Sequence, residues 1–160
     1  MTVDGETLRS VMSEFATGVT VVTFPPFDAP HGITVNAFTS VSLDPPVVLF
    51  CLDHDTRSYE LLASGDVSAA CVNVLSADQQ ALGEHFAGMT ALDEPFDAAR
   101  QGTTGAPVFS DSAAYLDCEI RDAFPVGDHT VFTADVVDAA AQSESDPVLT
   151  FVRGAWGSVE

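Results

Sequence analysis

Residues His31 to Leu52 read HGITVNAFTSVSLDPPVVLFCL. The first half, Gly32 to Leu43, mixes small, hydroxyl and β-branched residues, and the second, Val47 to Leu52, is a nearly unbroken apolar run. Between them stands Asp44-Pro45-Pro46. Proline fixes its own φ and cannot donate to a ladder, so two in a row end one strand and reset the chain for the next. The stretch therefore predicts strand, turn, strand, with the second strand buried on both faces. Thr34, Asn36, Thr39, Ser40 and Ser42 supply many polar groups, while Gly32 and Ala37 leave the backbone uncovered. A backbone approached closely by something flat and polar has this composition. So does a half-exposed edge strand rich in Thr and Ser, and composition alone leaves both open.

Working outward, Thr7 to Ala16 places Leu8, Val11, Met12 and Phe15 at helical spacing, with Gly18 as the stop. Val19 to Phe24 reads as the first strand and Pro25 to Pro30 as a loop. Asp53 to Ser58 opens a short helix running to about Ala63, with Asp55 and Thr56 as N-cap types. Hydroxyls and Arg57 at a helix start suit an anion, because that end carries partial positive charge. An ordinary cap beside a solvated arginine fits equally. Val67 to Leu75 reads as a core strand, and Ala77 to Phe86 as a helix ended by Gly88. Met89 to Pro107 lacks a periodic pattern, and a loop of that length is often functional. It could be a lid or a passive excursion across a dimer surface. Ala113 to Phe124 and Thr130 to Ala139 read as strands joined by Pro125-Val126-Gly127-Asp128. Val148 to Val152 and Ala155 to Val159 close the sheet around Arg153-Gly154. Strands outnumber helices, no βαβ alternation appears, and GxGxxG and P-loop motifs are absent.

At 160 residues with 46% hydrophobic content, the chain is expected to form a single domain, residues 1 to 160, around a sizeable core. It contains 24 Asp and Glu, five Arg and no Lys, for a net charge of -19. That balance argues against nucleic acid and anionic membrane surfaces as partners. Scattered acids without lysine suggest a halophilic, salt-rich cytosol, where ions screen the self-repulsion. No apolar run is long enough for a membrane span and the N-terminus lacks a signal peptide's pattern, so a cytoplasmic location is expected. Cys51, Cys71 and Cys118 show no CxxC spacing and read as free core thiols. His31, His54, His85 and His129 stand apart, so no metal site is expected.

The segment TVNAFTSVSLDPPVVLFCL resembles the signature of the short-chain flavin reductase family, the FMN-binding split barrels. FATGVTVVT (Phe15 to Thr23), DTRSYELL (Asp55 to Leu62), HFAG (His85 to Gly88), GAPVF (Gly105 to Phe109), GDHTVF (Gly127 to Phe132) and FVRGAWG (Phe151 to Gly157) extend the likeness over most of the chain. Asn36-Ala37 departs from the Ser or Asn-Ser of many relatives, and Trp156 from a common Tyr.

The resemblance implies an all-β split barrel, Greek-key-like with peripheral helices, forming a homodimer with flavin near the subunit interface. It implies an NAD(P)H-dependent FMN reductase, with FAD a possible flavin and NADH or NADPH the co-substrate. A partner monooxygenase could take the reduced flavin. The alternatives are a flavin-binding electron carrier or a non-catalytic FMN-binding module. Carried onto this chain, flavin contacts would come from Thr34, Val35, Asn36, Ala37 and Ser40, and from Cys51 and Leu52 on the next strand. Thr56, Ser58 and, more weakly, Arg57 would meet the flavin phosphate. Phe86, Arg153 and Trp156 would complete the site. His129, in the Gly127-Asp128-His129 turn, would stand beside the nicotinamide and flavin rings, a role suited to a group that titrates near neutral pH. Asp128 could orient it or merely serve the turn.

Overall fold

The computed structural model describes residues 1–160. Its first six strands are β1 (Thr17–Gly18), β2 (Thr20–Phe24), β3 (His31–Val35), β4 (Phe38–Leu43), β5 (Pro46–Asp53) and β6 (Ala69–Val74). The remaining six are β7 (Ala99–Gln101), β8 (Pro107–Phe109), β9 (Ala114–Val126), β10 (His129–Ala141), β11 (Val148–Val152) and β12 (Ala155–Val159). The helices are α1 (Gly5–Met12), α2 (Arg57–Ala63) and α3 (Gln80–Phe86), the last entered through a 3-10 turn at Ala77–Gln79. The expected β-rich architecture with peripheral helices is present. No helix is long and apolar enough to cross a membrane.

Seven strands form one antiparallel sheet in the order β3-β2-β6-β9-β10-β5-β4. The two edge strands, β3 and β4, are separated in the chain by only Asn36 and Ala37. Two linking residues reach about 10 Å at most, so the sheet must roll until its edges meet. They meet without pairing: the roll stays split, and Cys51 N donates to Ala37 O at 3.0 Å to hold the link against β5. Inside the roll pack Val22, Phe24, Phe50, Leu52, Val72 and Phe132. A second core of Val19, Val21, Leu75, Phe109 and Leu149 lies on the other side of β2. All five residues of β2 are therefore buried.

Several boundaries differ from the sequence reading. The His31–Leu52 stretch is three strands rather than two, because Asn36-Ala37 carries the chain from one sheet edge to the other. Asp44-Pro45 is the turn as expected, and Pro46 opens β5 at a strand's first position, where a missing N–H is tolerated. β5 is core along one face, through Val48, Phe50 and Leu52; on the other face only Val47 is buried, while Leu49, Cys51 and Asp53 stay half-exposed. α1 ends at Met12 instead of Ala16; the chain is captured there by Arg153 N donating to Ser13 O at 2.9 Å. Gly18 is not its stop but part of β1, which pairs with β11. Leu8, Val11 and Met12 of α1, and Phe15 just beyond it, are all exposed, so these apolar side chains have no core to pack on within the protomer. β11 and β12 do not close the main sheet. They form a separate three-stranded sheet with β1, and their turn uses the left-handed φ of Arg153 (53°) and Gly154 (72°).

The unpatterned Met89–Pro107 segment contains β7, which pairs with β8. Its turn is held by Asp117, fully buried on β9, which accepts from Thr104 N (2.9 Å) and Thr104 Oγ1 (2.6 Å). Gly102 is required there: a Cβ would sit 2.8 Å from Asp117 Oδ2. Pro125 and Val126 extend β9, leaving only Gly127-Asp128 as the turn into β10. All three cysteines are free. Cys71 and Cys118 are core thiols, and burial pushes Cys118 up to about 12, whereas Cys51 stands on the open face of β5.

Candidate functional site

Four adjoining cavities share one residue, Asn36. One, of about 390 Å³, has Leu49 and Cys51 for its floor, Phe38 at its edge, and Met12 and Phe15 for its wall. Another, of about 200 Å³, lies between Thr34, Ala87 and the Phe151–Trp156 pair. Together they form one groove along the split in the roll. Not one of the 24 carboxylate residues lines any of the four, although acids are 24 of 160 residues. The only charged groups on the groove are Arg9 and Arg153. An acid-free, largely apolar concavity on so anionic a chain is a ligand site by both shape and charge.

The structure gathers part of the expected residue set here. Asn36 and Ala37 are exposed at the link. Thr34 lines the groove while its hydroxyl donates to Gly83 O at 2.6 Å. Trp156 packs edge-on to Phe151, with ring centroids 5.0 Å apart, and lies over Gly83, where a Cβ would meet its ring at 3.3 Å. Cys51 faces the groove. Val35 and Leu52 are core side chains at 6% and 1% exposure, so only their backbone can face a ligand. Ser40 sits opposite Val48, on the strand face alternate to Thr39 and Leu49, and points away from the groove floor. Phe86 is spent on packing: it covers Gly32, where a Cβ would be 2.8 Å from its ring, and meets Phe96 at 5.2 Å.

The turn into α2 is built differently from a set of free hydroxyls. Thr56 is the N-cap: its Oγ1 accepts from Tyr59 N at 3.2 Å and donates to Asp53 O at 2.7 Å. Ser58 is buried, with its Oγ 2.7 Å from His31 Nε2. Arg57 is exposed beside Glu60 at 3.4 Å, so it is the group of the three free to turn toward an anion.

His129 opens β10 after the Gly127-Asp128 turn. The register places His129, Val131 and Thr133 opposite Asp53, Cys51 and Leu49. Directly opposed residues share a face, and strand faces alternate with period two, so His129 stands at the end of the groove floor, two residues beyond Val131. His129 Nδ1 lies 2.7 Å from Asp128 Oδ1, and that bond holds the Asp128 carboxyl below its ordinary range. An ionised carboxylate only accepts, so Nδ1 carries a hydrogen toward Asp128, and Nε2 is the ring nitrogen left to meet a ligand.

Residues 12–160 match the family model described as "Flavin reductase like domain". The chain belongs to that family. Among its relatives in the flavin reductase family is a Rhizobium meliloti protein described as "Probable flavin reductase", 40% identical over 158 residues, 96% of this chain. The chain spans 48% of the length of that protein. The flavin-dependent monooxygenase reductase subunit HsaB of Mycobacterium tuberculosis is 35% identical, over 99% of this chain and 84% of its own. The solved structure of the Streptomyces globisporus NADH:FAD oxidoreductase SgcE6, in complex with NAD and FAD fragments, superposes with a TM-score of 0.86. It is 34% identical and matched over 100% of this chain and 97% of that one.

The groove suits the flavin of a flavin reductase. Leu49 and Cys51 offer an apolar floor, and Asn36 with the Thr34 and Thr39 segments offers polar edges. Thr17 Oγ1, at the same wall, is buried and without a partner; such an orphan wants a hydrogen-bonding ligand edge. Met12, Phe15, Thr17, Phe38 and Leu49 escaped the sequence reading of the site. Met12 and Phe15 carried helical spacing and Leu49 an apolar run, which read as core, while Thr17 and Phe38 carried no site signal of their own; only the rolled sheet shows them at an open groove.

Proposed function

We propose that this chain is an NADH-dependent flavin reductase acting on FMN or FAD. The observation that carries the reading is the acid-free groove centred on Asn36, with the His129–Asp128 pair at the end of its floor. When bound, a flavin would supply the redox chemistry between the reduced nicotinamide and the final acceptor. The protein's own groups do the rest. Leu49 and Cys51 would support one ring face and keep water from it. Asn36, the Ala37 backbone and Thr17 Oγ1 meet its polar edge. Arg57, with the Thr56-capped turn, faces the flavin phosphate. His129 Nε2 meets the nicotinamide amide or holds a proton near the reacting rings.

The named relatives support NADH as donor and a monooxygenase as acceptor of the reduced flavin. The exposed Leu8, Val11, Met12 and Phe15 support a homodimer whose second copy covers the open side of the groove. A cytoplasmic location and a salt-rich interior fit the composition. The reading fails if purified protein, loaded with FMN or FAD under argon, is not bleached by NADH or NADPH. The same protein would then be a flavin-binding module, a reading that the aligned His129–Asp128 pair disfavours.

A further inference from the structure

One arm of the groove differs from the others in charge. It is a cleft of about 230 Å³ between the end of α1 and the β11–β12 turn, and both Arg9 and Arg153 line it, two of the five cations in the whole chain. It shares Met12, Phe15 and Asn36 with the apolar floor cavity, so a single molecule can occupy both. Arg9 forms no ion pair. Arg153 donates from Nε to Glu14 Oε2 at 2.6 Å, but both side chains are mostly exposed, at 72% and 59%. A pair so open to water is weak and can be displaced.

We propose that the Arg9–Arg153 cleft is the subsite for the pyrophosphate of a dinucleotide whose ring end lies in the Asn36 groove. This rests on the flavin reductase reading for the ring, but not for the anion. With a net charge of -19, the protein's field repels any polyanionic ligand. Such a ligand needs a local cationic clamp, and guanidinium forks match phosphate oxygens in pairs. The cleft supplies two guanidiniums and no carboxylate among its lining residues. Glu14 then acts as a competitor that holds Arg153 until a phosphate takes its place.

The pyrophosphate is that of NADH, because the FMN phosphate is one half of the FAD pyrophosphate and the proposed function sets it at the Arg57 turn; the test includes FAD as the competing owner. The ligands are ADP-ribose, which carries the pyrophosphate without nicotinamide or flavin, NADH against reduced nicotinamide mononucleotide, and FAD against FMN. Titrations run at about 0.1 M salt, where screening extends about 10 Å. Arg9→Gln should weaken ADP-ribose and raise the KM for NADH by about tenfold or more, the scale of one charge-assisted phosphate contact. The mononucleotide KM and FMN affinity should stay within about twofold, and Glu14→Gln should shift ADP-ribose affinity the opposite way by freeing Arg153. If FAD loses affinity relative to FMN while NADH does not, the NADH assignment is overturned, and the Arg57 phosphate reading falls with it. Equal losses for dinucleotides and mononucleotides, or no change for any dinucleotide, overturn it. Wild type that binds ADP-ribose through Arg9 but never oxidises NADH would sink the reductase reading and leave the subsite standing.

Discussion

His31 Nε2 lies 2.7 Å from Ser58 Oγ, tying the first residue of edge strand β3 to the first turn of α2. The imidazole also packs against Phe24, with ring centroids 5.8 Å apart. Burial first, and the Arg57 cation second, hold the His31 pKa below its ordinary 6.5. The neutral ring is therefore the native form, and the unfolded chain binds more protons between the folded value and 6.5. Stability from this group is complete above 6.5 and is lost as pH falls toward the folded pKa. The melting temperature should drop on going from about pH 7 to about pH 5, and His31→Gln should flatten that part of the profile. An unchanged slope in the variant would show that other groups set the acid limit.

His129→Ala should leave FMN affinity within about twofold, because the groove floor and Asn36 are untouched. Flavin reduction by NADH should slow about tenfold or more, a barrier change of roughly 1.4 kcal/mol, while reduction by dithionite keeps its rate. Stopped-flow absorbance under argon measures all three. A variant reduced by NADH as fast as wild type would remove His129 from the nicotinamide contact.

Because Thr56 caps α2 and Ser58 is bonded inside, replacing both hydroxyls would mix helix stability with ligand binding. Thr56→Ala alone should cost about 1 kcal/mol of stability without any flavin present, read by urea unfolding. Arg57→Gln is the cleaner probe of the phosphate. Its side chain is exposed and paired only with Glu60, so stability should move by less than about 0.5 kcal/mol. FMN should bind several-fold more weakly and riboflavin equally well, by fluorescence titration. Equal losses for both ligands would place the phosphate elsewhere.

The net charge of -19 with no lysine makes a salt prediction. Lowering salt from about 1 M to about 0.1 M lengthens the screening distance from about 3 to about 10 Å. Carboxylates that ignored one another then repel, and the melting temperature should fall. Calorimetry across that range is the check, and a flat or rising value would remove the salt-adaptation reading.

Sequence alone determined most of the strands, because their signals are local. The Asp44-Pro45 turn, the Thr56 cap and the Arg153-Gly154 turn each follow from what one or two residues can do with φ and a donor. The β-rich class and the family likeness rest on such segments in order. What the chain could not reveal is which face of a segment finds a partner. Asn36-Ala37 reads as the middle of one strand, yet it joins opposite edges of a rolled sheet, since only the roll brings β3 and β4 within two residues' reach. Leu49 and Cys51 alternate with Phe50 and Leu52 in an apolar run, and the same hydrophobicity ends up as groove floor on one face and core on the other. Met12 and Phe15 carry helical spacing but meet no core in the protomer. Burial is a property of the surroundings, and only the tertiary structure set those apolar residues, Asn36, Arg9 and Arg153 around a single groove.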